Sequence, residues 1–191
     1  MLYREDKKLI DILKAKPFTV SAEIIPPRNG TPQSDIVGQI KKLVDHGTAF
    51  LSVTKGAGGS LRGGSLPIAQ VVKDHFQIPC IAHFTCRDLT PEECENQLVD
   101  HHYFGIRNIL ALRGDPPQGV VDWKPRESSH EYAYMLIEQI KNLNSGKYLE
   151  RSQFKNSTAK PTEFCVGAAA YPDDSTFDQR IGYFLKKYHA G

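Results

Sequence analysis

The feature that most constrains the fold is a repeated alternation of short apolar segments with longer segments of amphipathic, helical spacing. The alternation occurs five times at a spacing of about 30 residues, and a further amphipathic helix is predicted before it, within residues 2–15. Short apolar segments between helices are typical of strands in a parallel sheet, because the helices cover them. The pattern predicts an α/β protein whose parallel strands are Phe18–Ile25, Ala49–Thr54, Pro79–Thr85, Ile109–Leu112 and Phe164–Ala170.

Two arrangements of these units are open from the residues alone. The units can form an open doubly wound sheet, although the glycine fingerprint of a dinucleotide-binding fold does not follow the first strand. They can also form part of a β/α barrel, whose usual eight units need about 250 residues. A chain of 191 residues would then supply only five of those units.

The composition excludes several classes of partner. A net charge of +2 gives no electrostatic footprint for nucleic acid or for an anionic membrane surface. Residues 1–17 lack the apolar core of a signal peptide and no segment has the length of a membrane span, so we expect a cytoplasmic protein. Cys80, Cys86, Cys94 and Cys165 lack the C-x-x-C spacing, and we expect buried thiols rather than zinc ligands.

The segment Asn108–Pro117, NILALRGDPP, is the first candidate site. Its apolar part is predicted to be a strand buried on both faces, and the prolines prevent the strand from continuing. Arg113, Gly114 and Asp115 then lie at the C-terminal tip of the strand, which is where parallel barrels bind ligands. Arg113 offers a planar fork for phosphate and Gly114 allows a close approach of the backbone. A solvated turn is the alternative interpretation of the same residues.

Polar residues at other strand ends are further candidates. Glu23 interrupts an apolar strand, and a buried carboxylate there is costly unless it is paired, neutral or functional. An acid that points to solvent is the alternative interpretation. His83 lies near the end of the third strand, where a structural hydrogen bond and a catalytic role are both open. The loop of residues 55–64, KGAGGSLRGG, is a weak phosphate motif without a Walker pattern, and a lid is an equal alternative.

Two of the predicted helices have clear sequence signals. Thr90, Pro91 and Glu93 form a typical helix start, with a threonine cap, proline at the first position and glutamate at the third. The last helix has apolar residues at helical spacing, namely Phe177, Ile181, Phe184, Leu185 and Tyr188.

Five segments together resemble the methylenetetrahydrofolate reductase family, whose members are flavin-dependent β/α barrels. The resemblance lies in SAEIIPPR, FLSVTKGAG, IAHFTCRDLTPEE, GIRNILALRGDPP and FCVGAAAYP, which follow in order from about Phe18 to Gly191. It implies a parallel β/α (TIM-type) barrel that is incomplete in this chain. The chain would be a single domain over residues 1–191 that lacks the last three strand–helix units.

The resemblance also implies a reaction and its cofactors. NAD(P)H would reduce FAD, and the reduced flavin would pass hydride to 5,10-methylenetetrahydrofolate to give 5-methyltetrahydrofolate. Glu23 would be the acid that protonates N10 of the folate and opens its five-membered ring. We expect the neighbouring Ile24 and Ile25 to bury this carboxyl and so favour its protonated form.

Further residues receive implied roles from the same resemblance. Asp115 would lie near the pyrimidine edge of the flavin and the pterin of the folate, where its charge disfavours an anionic reduced flavin. Tyr132 would lie near the adenosine half of FAD, and Lys187 would approach the pyrophosphate. The matched flavin-contacting positions are Thr54, His83, Leu112, Arg113, Gly114, Ala170 and Tyr171.

The sequence departs from the family pattern after Tyr171. The segment DDSTFDQR is a few residues shorter, and the histidine of the family's loop has no counterpart at Ser175. Arg180 or Asp178 falls near the place where the family has an acid in the following helix. The resemblance therefore leaves the contacts to the FAD ribose open.

Absence of the sixth to eighth strands leaves two explanations. The chain is a fragment, or it completes its barrel by association, in a homo-oligomer or with a different barrel-completing chain. The functional hypotheses are a flavin enzyme of one-carbon metabolism and a catalytically incompetent flavin-binding or assembly module. A metal-dependent barrel hydrolase is disfavoured, because the strand ends lack a His-x-His pair or converging acids.

Overall fold

Five parallel strands form a single sheet in which neighbours in sequence are neighbours in space. The structure is a computed structural model that describes residues 3–60, 62–150, 159–172 and 176–191. The sheet confirms the predicted α/β class. Consecutive strand–helix units of a TIM-type barrel also place their strands side by side in sequence order and parallel. The strands are β1 (Ser21–Ile24), β2 (Phe50–Val53), β3 (Cys80–Thr85), β4 (Asn108–Leu112) and β5 (Cys165–Ala168).

Helices connect the strands, as the spacing predicts. The predicted start of the helix after β3 is confirmed: Thr90 Oγ1 accepts a hydrogen bond from Glu93 N, and Glu93 Oε2 accepts one from Thr90 N. The helices are α1 (Leu9–Ala15), α2 (Ser34–Asp45), α3 (Ser65–Gln70, continued by a π-helical turn over Val71–His75), α4 (Pro91–Tyr103), α5 (Ala133–Asn144) and α6 (Phe177–Ala190).

The hydrophobic core lies between one face of the sheet and the helices. Side chains alternate between faces along a strand, and the register aligns Val53, Ala82 and Ile109 on the helix-covered face, where all three are buried. Leu110 and Leu112 point to the opposite face and are only half-buried. The prediction that this strand is buried on both faces is therefore wrong, because no described element covers the inner face.

The segment before α1 crosses the N-terminal ends of β3 and β4. Asp6 Oδ2 accepts hydrogen bonds from Cys80 N at 3.0 Å and from Asn108 Nδ2 at 3.1 Å. Asn108 Oδ1 in turn accepts one from Leu9 N at 2.6 Å. Burial raises the pKa of Asp6 to about 6. The predicted leading helix is correspondingly shorter than residues 2–15, because the residues before Leu9 bind the sheet in extended form.

The predicted burial of the cysteines holds for three of the four. Cys80, Cys86 and Cys94 are buried free thiols, whereas Cys165 is half-buried. Among the residues that the structure describes, no group of three or more His, Cys, Asp or Glu side chains could hold a metal ion. Within those same ranges, no helix has the length and apolar character to cross a membrane.

Candidate functional site

A cavity of about 680 Å³ lies where the C-terminal ends of the strands meet, within the size range of small-molecule sites. Carboxyl ends of parallel strands share one edge of a sheet, so residues far apart in sequence converge there. Every residue to which the sequence analysis gave a cofactor-binding or catalytic role lines this cavity. They are Glu23, Thr54, His83, Leu112, Arg113, Gly114, Asp115, Tyr132, Ala170, Tyr171 and Lys187. Their individual roles stay predictions.

Glu23 on β1 and His83 on β3 both line the cavity, and their side chains lie close together. The distance from Glu23 Oε2 to His83 Nε2 is 3.6 Å. Burial lowers the pKa of His83, and the nearby Glu23 carboxylate opposes this effect. The expected burial of Glu23 by Ile24 and Ile25 is wrong, since the Glu23 side chain is 55% exposed. Ile24 points to the core on the other face, and Ile25 is itself exposed.

Thr54 follows β2 directly and is almost completely buried at the cavity wall. Its carbonyl accepts a hydrogen bond from Ser65 Oγ at 3.0 Å, at the start of α3. Its hydroxyl oxygen is buried and has no hydrogen-bond partner among the described residues. Because an unsatisfied buried polar atom costs free energy, this hydroxyl fits a site completed by a polar ligand.

The glycine-rich loop packs against the turn after β4. Gly58 N donates a hydrogen bond to Asp115 Oδ2 at 3.0 Å, and Gln118 N donates one to Gly59 O at 3.3 Å. A Cβ on Gly59 would lie 1.9 Å from Pro116 O, so this close approach requires glycine. The Asp115 carboxylate is thereby held at the cavity rim by the loop.

Gly114 permits the tips of β3 and β4 to come together. Its φ of +95° suits glycine, and a Cβ would lie 2.9 Å from Arg87 Cβ and 3.3 Å from Thr85 Cβ. Arg87 Nη1 donates a hydrogen bond to Asp115 O across the same contact. Arg113 is exposed at the cavity rim, as the predicted phosphate contact requires.

The cavity wall contributed by α5 and α6 is aromatic and cationic. The Tyr132 ring stacks on Tyr134 at a centroid distance of 5.5 Å and on Tyr183 at 5.3 Å. Tyr134 and Tyr183 line the cavity but were missed by the sequence analysis. For Tyr183, its spacing of four residues from Lys187 on one helix was the available signal. The departure predicted at Ser175 lies outside the described residues.

Lys55, the first residue of the glycine-rich loop, also lines the cavity, although the sequence analysis gave it no role of its own. Its ammonium donates a hydrogen bond to Gln97 Oε1 at 2.7 Å and lies 4.4 Å from the centre of the Phe84 ring. Burial lowers the pKa of Lys55 to about 8. The signal in the sequence was its position directly after Thr54, at the end of a strand that was already predicted to line the site.

The fold and the cavity define a β/α-barrel-type protein with a cavity at the C-terminal ends of its strands, which is where barrels of this type bind ligands. A family model described as methylenetetrahydrofolate reductase matches residues 8–191. The chain therefore belongs to the methylenetetrahydrofolate reductase family.

Curated relatives support the same assignment. Methylenetetrahydrofolate reductase 1 of Schizosaccharomyces pombe is 32% identical over 97% of this chain and 29% of its own length. The 5,10-methylenetetrahydrofolate reductase of Escherichia coli is 31% identical over 82% of this chain and 45% of its own length. Methylenetetrahydrofolate reductase (NADH) 1 of Arabidopsis thaliana is 29% identical over 90% of this chain and 28% of its own length. The chain thus spans less than half the length of these relatives.

Proposed function

We propose that the chain carries the flavin site of an oxidoreductase that reduces 5,10-methylenetetrahydrofolate to 5-methyltetrahydrofolate with NAD(P)H. The observation that carries the proposal is the convergence of all the family-matched residues on one cavity. The names of the relatives give the substrate class. A cytoplasmic location is part of the same proposal and rests on the sequence.

The cavity residues suit FAD, an aromatic cofactor with a diphosphate. The unsatisfied hydroxyl of Thr54 and the exposed guanidinium of Arg113 supply donors, and the Tyr132 ring supplies a stacking surface. Lys187 supplies a further cation in the cavity lining. When bound, FAD would supply the hydride-transfer chemistry that amino-acid side chains lack.

Glu23 is the proposed proton donor to N10 of the folate. It lies at the end of β1 and lines the cavity, so that its carboxyl is accessible to a bound substrate. A neutral His83 can accept a hydrogen bond from protonated Glu23 or donate one to the ionised form. His83 therefore suits the positioning of a carboxyl that changes its protonation state during the reaction.

Asp115 is proposed to face the reacting rings. Its carboxylate is fixed by Gly58 N, and its main chain is held by Arg87. A fixed negative charge beside the reacting centre stabilises positive charge that develops on the substrate.

Two measurements on the FAD-loaded protein test this function. In the first, visible absorption after FAD addition and desalting shows whether flavin is retained in a defined species on size exclusion. In the second, E23Q is expected to abolish folate reduction and to leave oxidation of NAD(P)H by the flavin intact. E138Q, at an exposed position of α5, is the matched control and should retain both activities. Folate reduction by E23Q would refute the proposed role of Glu23.

A second candidate function is a flavin-binding or assembly module without turnover. The exposed apolar stripe of α6 favours it, because such faces mark interaction surfaces. Its signature would be retained flavin without folate reduction in a protein that assembles with another chain.

A further inference from the structure

Lys55, in the wall of the cavity, has an amine that contacts only neutral groups. The residue is half-buried and lines the cavity directly after Thr54. Its Nζ atom donates a hydrogen bond to Gln97 Oε1 at 2.7 Å and lies 4.4 Å from the centre of the Phe84 ring. It forms no ion pair with a carboxylate of the described residues. Burial without an anionic partner favours the neutral amine over the ammonium.

Three titratable side chains lie near Lys55 on the elements packed around it. Cys86 directly follows β3, and Cys94 and His101 lie on α4. Burial raises the pKa of Cys86 to about 11 and that of Cys94 to about 12. Burial lowers the pKa of His101 to about 4. All three groups are therefore neutral between pH 7 and pH 9, and none supplies a negative charge that would stabilise protonated Lys55.

Lys73 shows how the same chain accommodates a buried ammonium. Its side chain is completely buried, and its Nζ atom donates hydrogen bonds to Arg4 O and to the carboxylate of Asp74. Lys73 also lies outside the cavity lining. Lys55 differs in both respects, because it has no acidic partner among the described residues and borders a space of about 680 Å³. A desolvated lysine in such a position is typical of amines that react with carbonyl compounds.

We propose that Lys55 is a covalent modification site, at which its amine reversibly captures a small, uncharged aldehyde as an imine. The neutral amine donates one hydrogen to Gln97 and keeps its lone pair for attack on the carbonyl carbon. An uncharged aldehyde suits the site, because the Phe84 ring and two neutral thiols surround the amine. The inference goes beyond the proposed function and needs neither FAD nor a folate.

The reaction requires no oxidant or reductant. The lone pair of Nζ forms the new N–C bond, and a proton passes from the nitrogen to the former carbonyl oxygen to give a carbinolamine. The hydroxyl group then leaves as water with the second proton of the amine, and an imine remains. Hydrolysis of the imine reverses both steps and restores Lys55.

The test is labelling of the whole chain with limiting isotope-labelled formaldehyde, trapped by cyanoborohydride, at pH 7 and at pH 9. Nα-acetyl-lysine amide in the same solution is the internal standard, and peptide mass spectrometry quantifies each adduct. With a pKa of about 8, the neutral fraction of Lys55 rises about 10-fold between the two pH values. That of the standard, whose pKa is about 10.4, rises about 100-fold. Label on Lys55 relative to the standard should therefore fall about 10-fold from pH 7 to pH 9.

Two variants test the surroundings of the amine. Q97E places a carboxylate beside Nζ and should stabilise the ammonium, so that label on Lys55 at pH 7 falls about three- to tenfold. Q39E is the same substitution at an exposed position of α2 outside the cavity lining, and should leave the label unchanged. Lys73 should stay unlabelled in each folded protein, as circular dichroism will verify.

Three results would overturn the proposal. A ratio of Lys55 to the standard that does not change with pH would show that the amine has an ordinary lysine pKa. Absence of label on Lys55 at both pH values, with label on the exposed Lys41, would show that the aldehyde does not reach it. Equal effects of Q97E and Q39E would show that the neighbours of Lys55 do not control its reactivity. If Q97E does not fold, the pH dependence in the original chain still decides the question. The proposed function is tested separately by flavin retention, so each proposal can fail without the other.

Discussion

Replacement of Asp6 by Asn isolates the energetic cost of one buried carboxyl. Asp6 is 7% exposed, and Cys80 N and Asn108 Nδ2 both donate to its Oδ2 atom. Its Oδ1 atom is buried without a hydrogen-bond partner among the described residues. Burial outweighs these hydrogen bonds and raises the pKa from its ordinary value of 3.8 to about 6.

The sign of the pH dependence follows from this direction. The folded chain binds the Asp6 proton more tightly than the unfolded chain, so Asp6 favours folding increasingly as the pH falls from 7 through 6 towards 4. A change in pKa from 3.8 to about 6 corresponds to roughly 3 kcal/mol when both states are protonated. Most of this, about 2 kcal/mol, is present at pH 4. D6N cannot titrate and lacks the contribution.

His101 has the opposite effect in the same pH range. Burial lowers its pKa to about 4, although its Nδ1 donates a hydrogen bond to Gln97 O at 2.6 Å. The unfolded chain therefore binds the His101 proton more tightly, and stability is lost as the pH falls below 6.5. His101 is present in both the original chain and D6N, so its effect cancels when the two free energies of unfolding are subtracted, provided that the two sites act independently.

The assay is urea unfolding of the original chain, D6N and the exposed-site control D122N at several pH values between 4 and 8. The free energy of unfolding of the original chain relative to D6N should rise by about 2 kcal/mol from pH 7.5 to pH 4. The corresponding difference for D122N should stay nearly constant. If the free energy of unfolding of the original chain relative to D6N did not change with pH, the raised pKa of Asp6 would be refuted.

Two further predictions concern the cavity. G114A should lower the free energy of unfolding by about 1–3 kcal/mol, because alanine is strained at φ +95° and its Cβ would lie 2.9 Å from Arg87 Cβ. G119A is the control, because Gly119 has a similar φ but no atom near the place of a Cβ. Equal losses of stability in G114A and G119A would mean that the clash with Arg87 contributes nothing. D115N should raise the flavin midpoint potential in the FAD-loaded protein, because a negative charge disfavours the anionic reduced flavin; an unchanged potential would place Asp115 away from the flavin.

Local signals in the sequence were sufficient for the strand–helix order. Prolines and glycines follow several strands and mark where they end. The start of α4 is set by Thr90 and Glu93, which are three residues apart and hydrogen-bond to each other. The convergence of Glu23, His83 and Asp115 on one cavity also followed from the order of parallel strands. These features depend on short-range chemistry or on topology.

The remaining features depend on contacts between distant segments. Exposure of Glu23 depends on what covers the inner face of the sheet, which its own strand cannot show. The raised pKa of Asp6 depends on Cys80 and Asn108, which are 74 and 102 residues away in sequence. Likewise, apolar spacing located α6 but did not show that most of its apolar side chains are exposed, because this depends on what packs against the helix.

The two ends of the sheet differ in whether their polar groups line the cavity, and this difference predicts where a ligand stabilises the chain. At the N-terminal end, Asp6 and Asn108 bind main-chain groups of the chain itself and lie outside the cavity lining. At the C-terminal end, Thr54, Asp115 and Lys187 line the cavity, and the Thr54 hydroxyl has no hydrogen-bond partner among the described residues.

A ligand bound in the cavity should suppress local opening at the C-terminal end and leave local opening at the other end unchanged. FAD at saturating concentration should therefore slow amide hydrogen exchange in residues 54–60, 113–118 and 180–187. Exchange in residues 3–9, which opens locally at the opposite end of the sheet, should keep its rate. Equal slowing in both regions would mean that FAD acts only through global stability, and slowing confined to residues 3–9 would place its site at the other end.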